Sequence, residues 1–219
     1  MSEETNKNNS NGILCKIILV GDSGVGKTSI INSYFQKYNQ HVTATLNTSF
    51  LSKIEIINNY KIEFQIWDTV GQEQYRALNT LFFKDAHICI MVYDITRKES
   101  FNNIKDYWYE SVISNGLEGI ILGIAGNKDD LYESEKVDRN EVKEFSEQIN
   151  AILGFTSAKN NSCISELIKE LGIKFCNSDF MKAYRKDSSD QDRKDKKFNL
   201  KDKKNRNNKN GNNDKKACC

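Results

Sequence analysis

Four apolar runs frame the chain. Ile17-Ile18-Leu19-Val20 and Ile120-Ile121-Leu122-Gly123-Ile124-Ala125 are continuous, as strands buried on both faces of a parallel sheet are. Ile62-x-Phe64-x-Ile66 alternates, and Ile152-Leu153-Gly154-Phe155 predicts a last strand. Helical spacing follows the first run in Ser29-Ile30-Ile31-Asn32-Ser33-Tyr34-Phe35. It returns where Ile164, Leu167, Ile168, Leu171 and Phe175 step by three and four, predicting a closing helix over about residues 161–182 that packs on the sheet. Strand and helix signals alternate from residue 14 to 176, which predicts an α/β fold with a mostly parallel sheet. Ligands bind such sheets beyond the carboxyl ends of the strands.

The residues at those ends carry chemistry. Gly21-Asp22-Ser23-Gly24-Val25-Gly26-Lys27-Thr28 fits Gly-x4-Gly-Lys-Thr, lies between the first strand and the first helix, and predicts a phosphate-binding segment running through Ser29. Its glycines let backbone N–H groups turn around phosphates, and the helix N-terminus adds its positive dipole end. Lys27 is expected to reach the β- and γ-phosphates, and the Thr28 hydroxyl to ligate Mg²⁺.

The base is read further along. Asn127-Lys128-Asp129-Asp130 ends the second apolar run. A carboxylate at Asp130 can accept from both N1–H and the exocyclic amine of guanine, a two-point contact that adenine cannot make. The Lys128 stem can lie along the purine and Asn127 can tie loops together. Ser157-Ala158-Lys159 follows the last strand, thirty residues after Asn127, and its Ala158 amide is a candidate donor to guanine O6. Asp68, closing the alternating strand, is expected to hold Mg²⁺ through water, and the Gly71 amide to sense the γ-phosphate. Gln72 is the candidate for orienting an attacking water, and Thr45 for the second hydroxyl ligand of Mg²⁺.

Together these motifs resemble the small GTPases of the Ras superfamily, and within it the Rab family, from about Leu14 to Phe175. Trp67-Asp68-Thr69, Tyr75-Arg76-Ala77-Leu78, Phe82-Phe83-Lys84-Asp85-Ala86 and Met91-Val92-Tyr93-Asp94-Ile95-Thr96 are similar to the segments that set Rabs apart from their relatives. Thr45-Leu46-Asn47-Thr48-Ser49-Phe50-Leu51 is similar to the early-endosomal Rab-five and Rab-twenty-one branch. The resemblance implies a six-stranded, mostly parallel sheet flanked by helices on both faces. It implies a GTP/GDP switch with slow intrinsic hydrolysis and an effector surface including Phe50, Trp67 and Phe82. Effectors, an exchange factor, a GTPase-activating protein, a Rab escort protein and a GDP-dissociation inhibitor are implied as partners of a monomeric protein.

The chain departs from the family pattern in places. Val70 stands where the family carries Ala, a stiffer side chain beside Gly71. The stretch from Thr28 to Thr45 is one residue shorter than the family norm, which leaves Thr43 a rival to Thr45, and Asn47 replaces a common Gly. Tyr38 and His41 are both candidates to cover the guanine.

Composition adds the ends. The 219 residues allow one domain with tails: an N-terminal extension over 1–11, a GTPase domain over 12–180 and a basic tail over 181–219. The tail has fourteen Lys or Arg against six Asp, about +8, while the rest of the chain carries about −6. So polar a segment is expected to stay disordered. No apolar run reaches membrane-spanning length and Met1 to Asn11 holds no signal-like apolar stretch, so a cytosolic chain is expected. Cys15, Cys89 and Cys163 fall in apolar patterns and are expected to be reduced core residues, with Cys176 left open. Cys218-Cys219 resembles the doubly geranylgeranylated end of Rabs, a reversible anchor to the cytosolic face of endosomal or other vesicle membranes. Two lipids and a basic stretch together suffice for stable anchoring. A basic tail also raises nucleic acid, but no aromatic interleaving or reading motif accompanies it, and none is expected as a partner. Two other classes stay open: a nucleotide-bound scaffold that no longer hydrolyses, and a P-loop kinase of small metabolites.

Overall fold

Side-chain alternation decides which face of the sheet each strand residue serves. The computed structural model describes residues 12–36, 49–68 and 82–184. Among them six strands form one sheet: β1 (Ile13–Val20), β2 (Ser49–Ile57), β3 (Tyr60–Asp68), β4 (Ile88–Asp94), β5 (Ile121–Asn127) and β6 (Ile152–Thr156). Their order is β2-β3-β1-β4-β5-β6. Every neighbouring pair is parallel except β2 with β3, whose tight turn places Asn58 and Asn59 at φ of 50° and 66°. Asparagine tolerates this left-handed backbone, and two such residues in a row match the twist of a hairpin.

The register sorts the core. Ile17 sits beside Ile66 and Ile88, and Leu19 beside Ile90, on one face; Ile18 with Cys89 and Val20 with Met91 point to the other. The first face is covered by α1 (Lys27–Tyr34) and α5 (Ile164–Cys176), with Leu171 against Gly123 and Leu167 against Gly154. The second is covered by α2 (Lys98–Asn103), a π-helical turn (Ile104–Trp108), α3 (Tyr109–Asn115) and α4 (Arg139–Gln148). Phe101, Ile104, Trp108, Val112 and Val142 of these elements join Ile18, Val20, Met91 and Tyr93 in one buried cluster. The result is a six-stranded, mostly parallel sheet with helices on both faces.

Two expectations are corrected. The closing helix is shorter than 161–182, because Asn161 and Cys163 have φ of 53° and 58° and turn the chain before Ile164. Residue spacing registers apolar steps but not such a left-handed start. The described residues divide into two units between Cys176 and Asn177, and in the second a helical turn covers 179–184. Cys163, expected in the core, is exposed in that same turn, whereas Cys15, Cys89 and Cys176 are buried and free. No described helix is long and apolar enough to cross a membrane.

Gly172 marks the tightest contact of α5 with the sheet. A Cβ there would stand 2.4 Å from Ile57 Cδ1 and 2.8 Å from Phe64 Cζ. Gly172→Ala, which gains about 1 kcal/mol in an open helix, is expected here to lose a net 1–2 kcal/mol or so through overpacking. Thermal melting should show a midpoint lower by roughly 2–8 °C.

Candidate functional site

Because β1, β3, β4, β5 and β6 are parallel, the loops that follow them gather at one edge of the sheet. After β1 the backbone takes φ of 141°, 76° and 100° at Gly21, Gly24 and Gly26. Glycine is required twice by space as well as by φ: a Cβ on Gly21 would lie 2.2 Å from the Val92 carbonyl oxygen, and one on Gly26 2.3 Å from Asn127 Nδ2. Lys27, the first residue of α1, folds back over this loop and its Nζ donates to the carbonyls of Gly21 (2.8 Å) and Asp22 (2.9 Å). Burial pushes the Lys27 ammonium down to about 8; Asp68 and Asp22 pull it up, and Arg97 pushes it down further. Val25 is buried, and Ser29 continues α1.

The second half of the site is built on Asn127, which is 1% exposed at the end of β5. Its Nδ2 donates to the Val25 carbonyl at 2.8 Å, and its Oδ1 accepts from Thr156 Oγ1 and from the Ala158 backbone N–H, each at 3.3 Å. The loops after β1, β5 and β6 are thereby tied at one side chain. The Ala158 amide, assigned to guanine O6 on sequence grounds, is directed at Asn127 Oδ1. Asp130 accepts from Ser157 Oγ at 2.6 Å and faces Lys159 Nζ at 3.7 Å, so its carboxylate is held in one orientation. Lys128 adopts a left-handed backbone (φ 68°) and pairs its Nζ with Asp94 Oδ2 at 2.7 Å.

Thr28 Oγ1 donates to Asp68 Oδ2 at 2.5 Å, placing a hydroxyl and a buried carboxylate together at the start of α1. That all-oxygen donor pair fits Mg²⁺, a hard cation. Across β2 and β3 Phe50 stacks on Trp67 with ring centroids 4.8 Å apart, and Phe82 lies 6.3 Å from Trp67, so the three aromatics are contiguous. Thr45, Gly71, Gln72, Val70, the alternatives Thr43, Tyr38 and His41, and Cys218 and Cys219 lie outside the described residues.

Four contributors were missed. Asp94, at the end of β4, grips Lys128 through Oδ2 and accepts from Thr96 N–H (2.9 Å) and Thr96 Oγ1 (2.7 Å) through Oδ1. Burial pushes its carboxyl up, but the bonds from Lys128 and Thr96 outweigh that and hold it below the usual range. Its place at a strand's carboxyl end is the signal that had picked out Asp68. Asn103 Nδ2 and Trp108 Nε1 donate to the Asp22 carboxylate at 2.7 and 3.0 Å, and Arg97 donates to the Ser23 carbonyl. No local sequence signal links these three to the loop after β1.

The Ras family profile matches residues 16–177. Ras-related protein Rab-31 of Mus musculus is 39% identical over 155 residues, 70% of this chain and 79% of that one. Ras-related protein Rab-22A of Homo sapiens is 36% identical over 165 residues, covering 75% and 84%. The Ypt/Rab-type GTPase YPT7 of Saccharomyces cerevisiae is 38% identical over 165 residues, covering 72% and 79%. The chain is a Ras-family GTPase of the Rab type.

In this GTPase Asn127 is the joint between loops, and its removal leaves the Val25 carbonyl, the Thr156 hydroxyl and the Ala158 amide to find other partners. Asn127→Ala is expected to destabilise the fold by about 2–4 kcal/mol, since each stranded buried group costs roughly 1–3 kcal/mol before water relieves it. Urea unfolding midpoints beside the parent protein check this.

Proposed function

We propose that this GTPase is a Rab-type molecular switch that binds GTP, hydrolyses it to GDP, and recruits effectors to regulate vesicle trafficking and membrane fusion, at endosomal membranes. What carries the reading is the joining of three loops at Asn127, which sets the Lys27 loop and the Asp130 carboxylate on one edge of the sheet. A guanine nucleotide is the ligand whose two ends match them.

In this reading Gly21, Asp22, Ser23, Gly24, Val25, Gly26, Lys27, Thr28 and Ser29 hold the phosphates. The backbone N–H groups of the loop donate, and Lys27, whose ammonium is costly to bury alone, is favoured in its charged form beside a polyphosphate. Asp130, oriented by Ser157, accepts from N1–H and the exocyclic amine; Lys128, Ala158 and Lys159 complete the purine pocket. Thr28, Thr45 and Asp68, the last through water, would hold Mg²⁺, which neutralises charge on the β- and γ-phosphate oxygens when bound. Gln72 orients the water that attacks the γ-phosphorus; the bond to the β-phosphate oxygen breaks, leaving GDP and inorganic phosphate. Gly71 and Thr45 read the γ-phosphate, and its loss releases their loops from an effector surface that includes Phe50, Trp67 and Phe82.

The wider cycle follows from the same reading. Residues 12–180 are the GTPase domain and 181–219 the membrane-directed tail, with Cys218 and Cys219 carrying prenyl groups. A Rab escort protein presents the tail for lipidation, and a GDP-dissociation inhibitor extracts the lipids. An exchange factor and a GTPase-activating protein set the two rates. The likeness of Thr45–Leu51 to the early-endosomal branch is what favours endosomes.

Single-turnover release of phosphate from protein loaded with GTP and Mg²⁺ tests the switch. A rate on the order of 10⁻⁴ to 10⁻² s⁻¹ is expected, falling at least about tenfold in Gln72→Leu, the range a positioned catalytic group supplies. Tight retention of GTP with equal, negligible rates in both proteins would instead identify a scaffold and point to Val70. A second variant tests base reading. Asp130→Asn offers a donor where guanine needs an acceptor, so it should lose GDP by at least about 100-fold and gain xanthosine diphosphate, as competition binding will show.

A further inference from the structure

The turn joining β4 to α2 reaches both halves of the nucleotide site. Asp94 at its start holds Lys128 of the guanine loop. Three residues on, Arg97 crosses to the phosphate loop, where its Nη1 and Nη2 both donate to the Ser23 carbonyl oxygen at 3.3 Å, with Nη2 3.9 Å from Asp22 Oδ2. Arg97 Nη1 is also the nearest atom, at 3.9 Å, to the position a Cβ would take on Gly24. The Arg97 backbone is itself fixed. Its N–H donates to the Asp94 carbonyl at 2.9 Å, and its carbonyl accepts from Ser100 N–H (3.0 Å) and Ser100 Oγ (2.7 Å), a hydroxyl buried in the core.

A trans peptide is planar and its C=O and N–H point opposite ways. Gripping the Ser23 oxygen therefore aims the Gly24 N–H away from Arg97. It also places a full positive charge on the acceptor end of that peptide, which strengthens the donor end. Gly24, at φ 76°, has a backbone free enough for this peptide to rotate were nothing holding it. Asp22, next to Ser23, is clamped independently by Asn103 and Trp108, so the one peptide between Ser23 and Gly24 depends on the arginine.

We propose that Arg97 is a positioning residue of the phosphate loop, fixing the Ser23–Gly24 peptide so that the Gly24 N–H is presented, polarised, to the phosphates of the bound nucleotide. The proposal rests on the reading of Gly21–Ser29 as the phosphate site. It gives the chain a cation at this loop from outside the loops that sequence reasoning had searched. Being half exposed, Arg97 can be replaced without opening the core.

The test uses the full chain loaded with GDP and Mg²⁺, comparing Arg97→Met, similar in reach but without charge or donors, with Arg97→Lys, which keeps the charge but not the fork. The Met variant is expected to release GDP about tenfold faster, equivalent to about 1.4 kcal/mol, and to shift the ³¹P resonance of the bound β-phosphate. The Lys variant should fall between it and the parent in both. An Arg97→Met protein with parental release and an unmoved resonance overturns the proposal. So does faster release with an unmoved resonance, because the loop is then loosened but the peptide is not re-aimed. Parent protein that takes up no GDP overturns the phosphate-site reading and the role of Arg97 with it; loading by the parent separates the two failures.

Discussion

The buried carboxamide of Asn127 is the constraint on which the rest of the site depends. An amide side chain has two N–H donors and one oxygen acceptor. Here the nitrogen serves the loop after β1 and the oxygen serves the loop after β6. The geometry of both neighbours follows. Gly26 must lack a side chain, since a Cβ would meet that nitrogen at 2.3 Å, and the chain after β6 must turn so that Thr156 and Ala158 both face inward. The contacts of one buried side chain thus set the spacing between the loop after β1 and the chain after β6. The β-sheet supplies the platform, and parallel pairing from β3 to β6 brings the loop ends level, but it leaves the loops free to splay. The hydrogen bonds of Asn127 tie the loops after β1, β5 and β6 to one another.

Much of this was legible because the chemistry is local. The loop after β1 needs its glycines and lysine at fixed spacing, and the segments at Asn127 and Ser157 announce themselves by following apolar strands. The alternation of Ile62, Phe64 and Ile66 was legible for the same reason: a strand shows its faces along its own sequence. What could not be read is carried by contacts between segments distant in sequence. Trp108 reaches Asp22 across 86 residues and Arg97 reaches Ser23 across 74, and neither residue differs in its own neighbourhood from a core tryptophan or a solvated arginine. The closing helix failed differently. Its apolar steps are genuine, but the left-handed turn at Asn161 and Cys163 is a backbone event that spacing cannot register, and Cys163 came out exposed because of it. The Ala158 amide shows another case: expected to face guanine O6, it is engaged with Asn127.

The charges at this edge obey a common rule, with one departure that bears on function. Lys128 is matched by Asp94, Lys159 faces Asp130, and Arg97 stands near Asp22. Each pair sets a cation beside a carboxylate, which suits groups whose work is orientation. Lys27 is different: among the described residues its hydrogen bonds go to two neutral carbonyls, while Asp68 and Asp22 act on it only through their nearby charge, in a setting where burial disfavours the ammonium. Carbonyl dipoles steady the cation without cancelling its charge. A full positive charge held in a low-dielectric cleft interacts with an arriving anion far more strongly than an exposed one does, and the strength grows with the charge of that anion. In the proposed reading such a lysine suits a multiply charged phosphate chain better than a single carboxylate or sulfate.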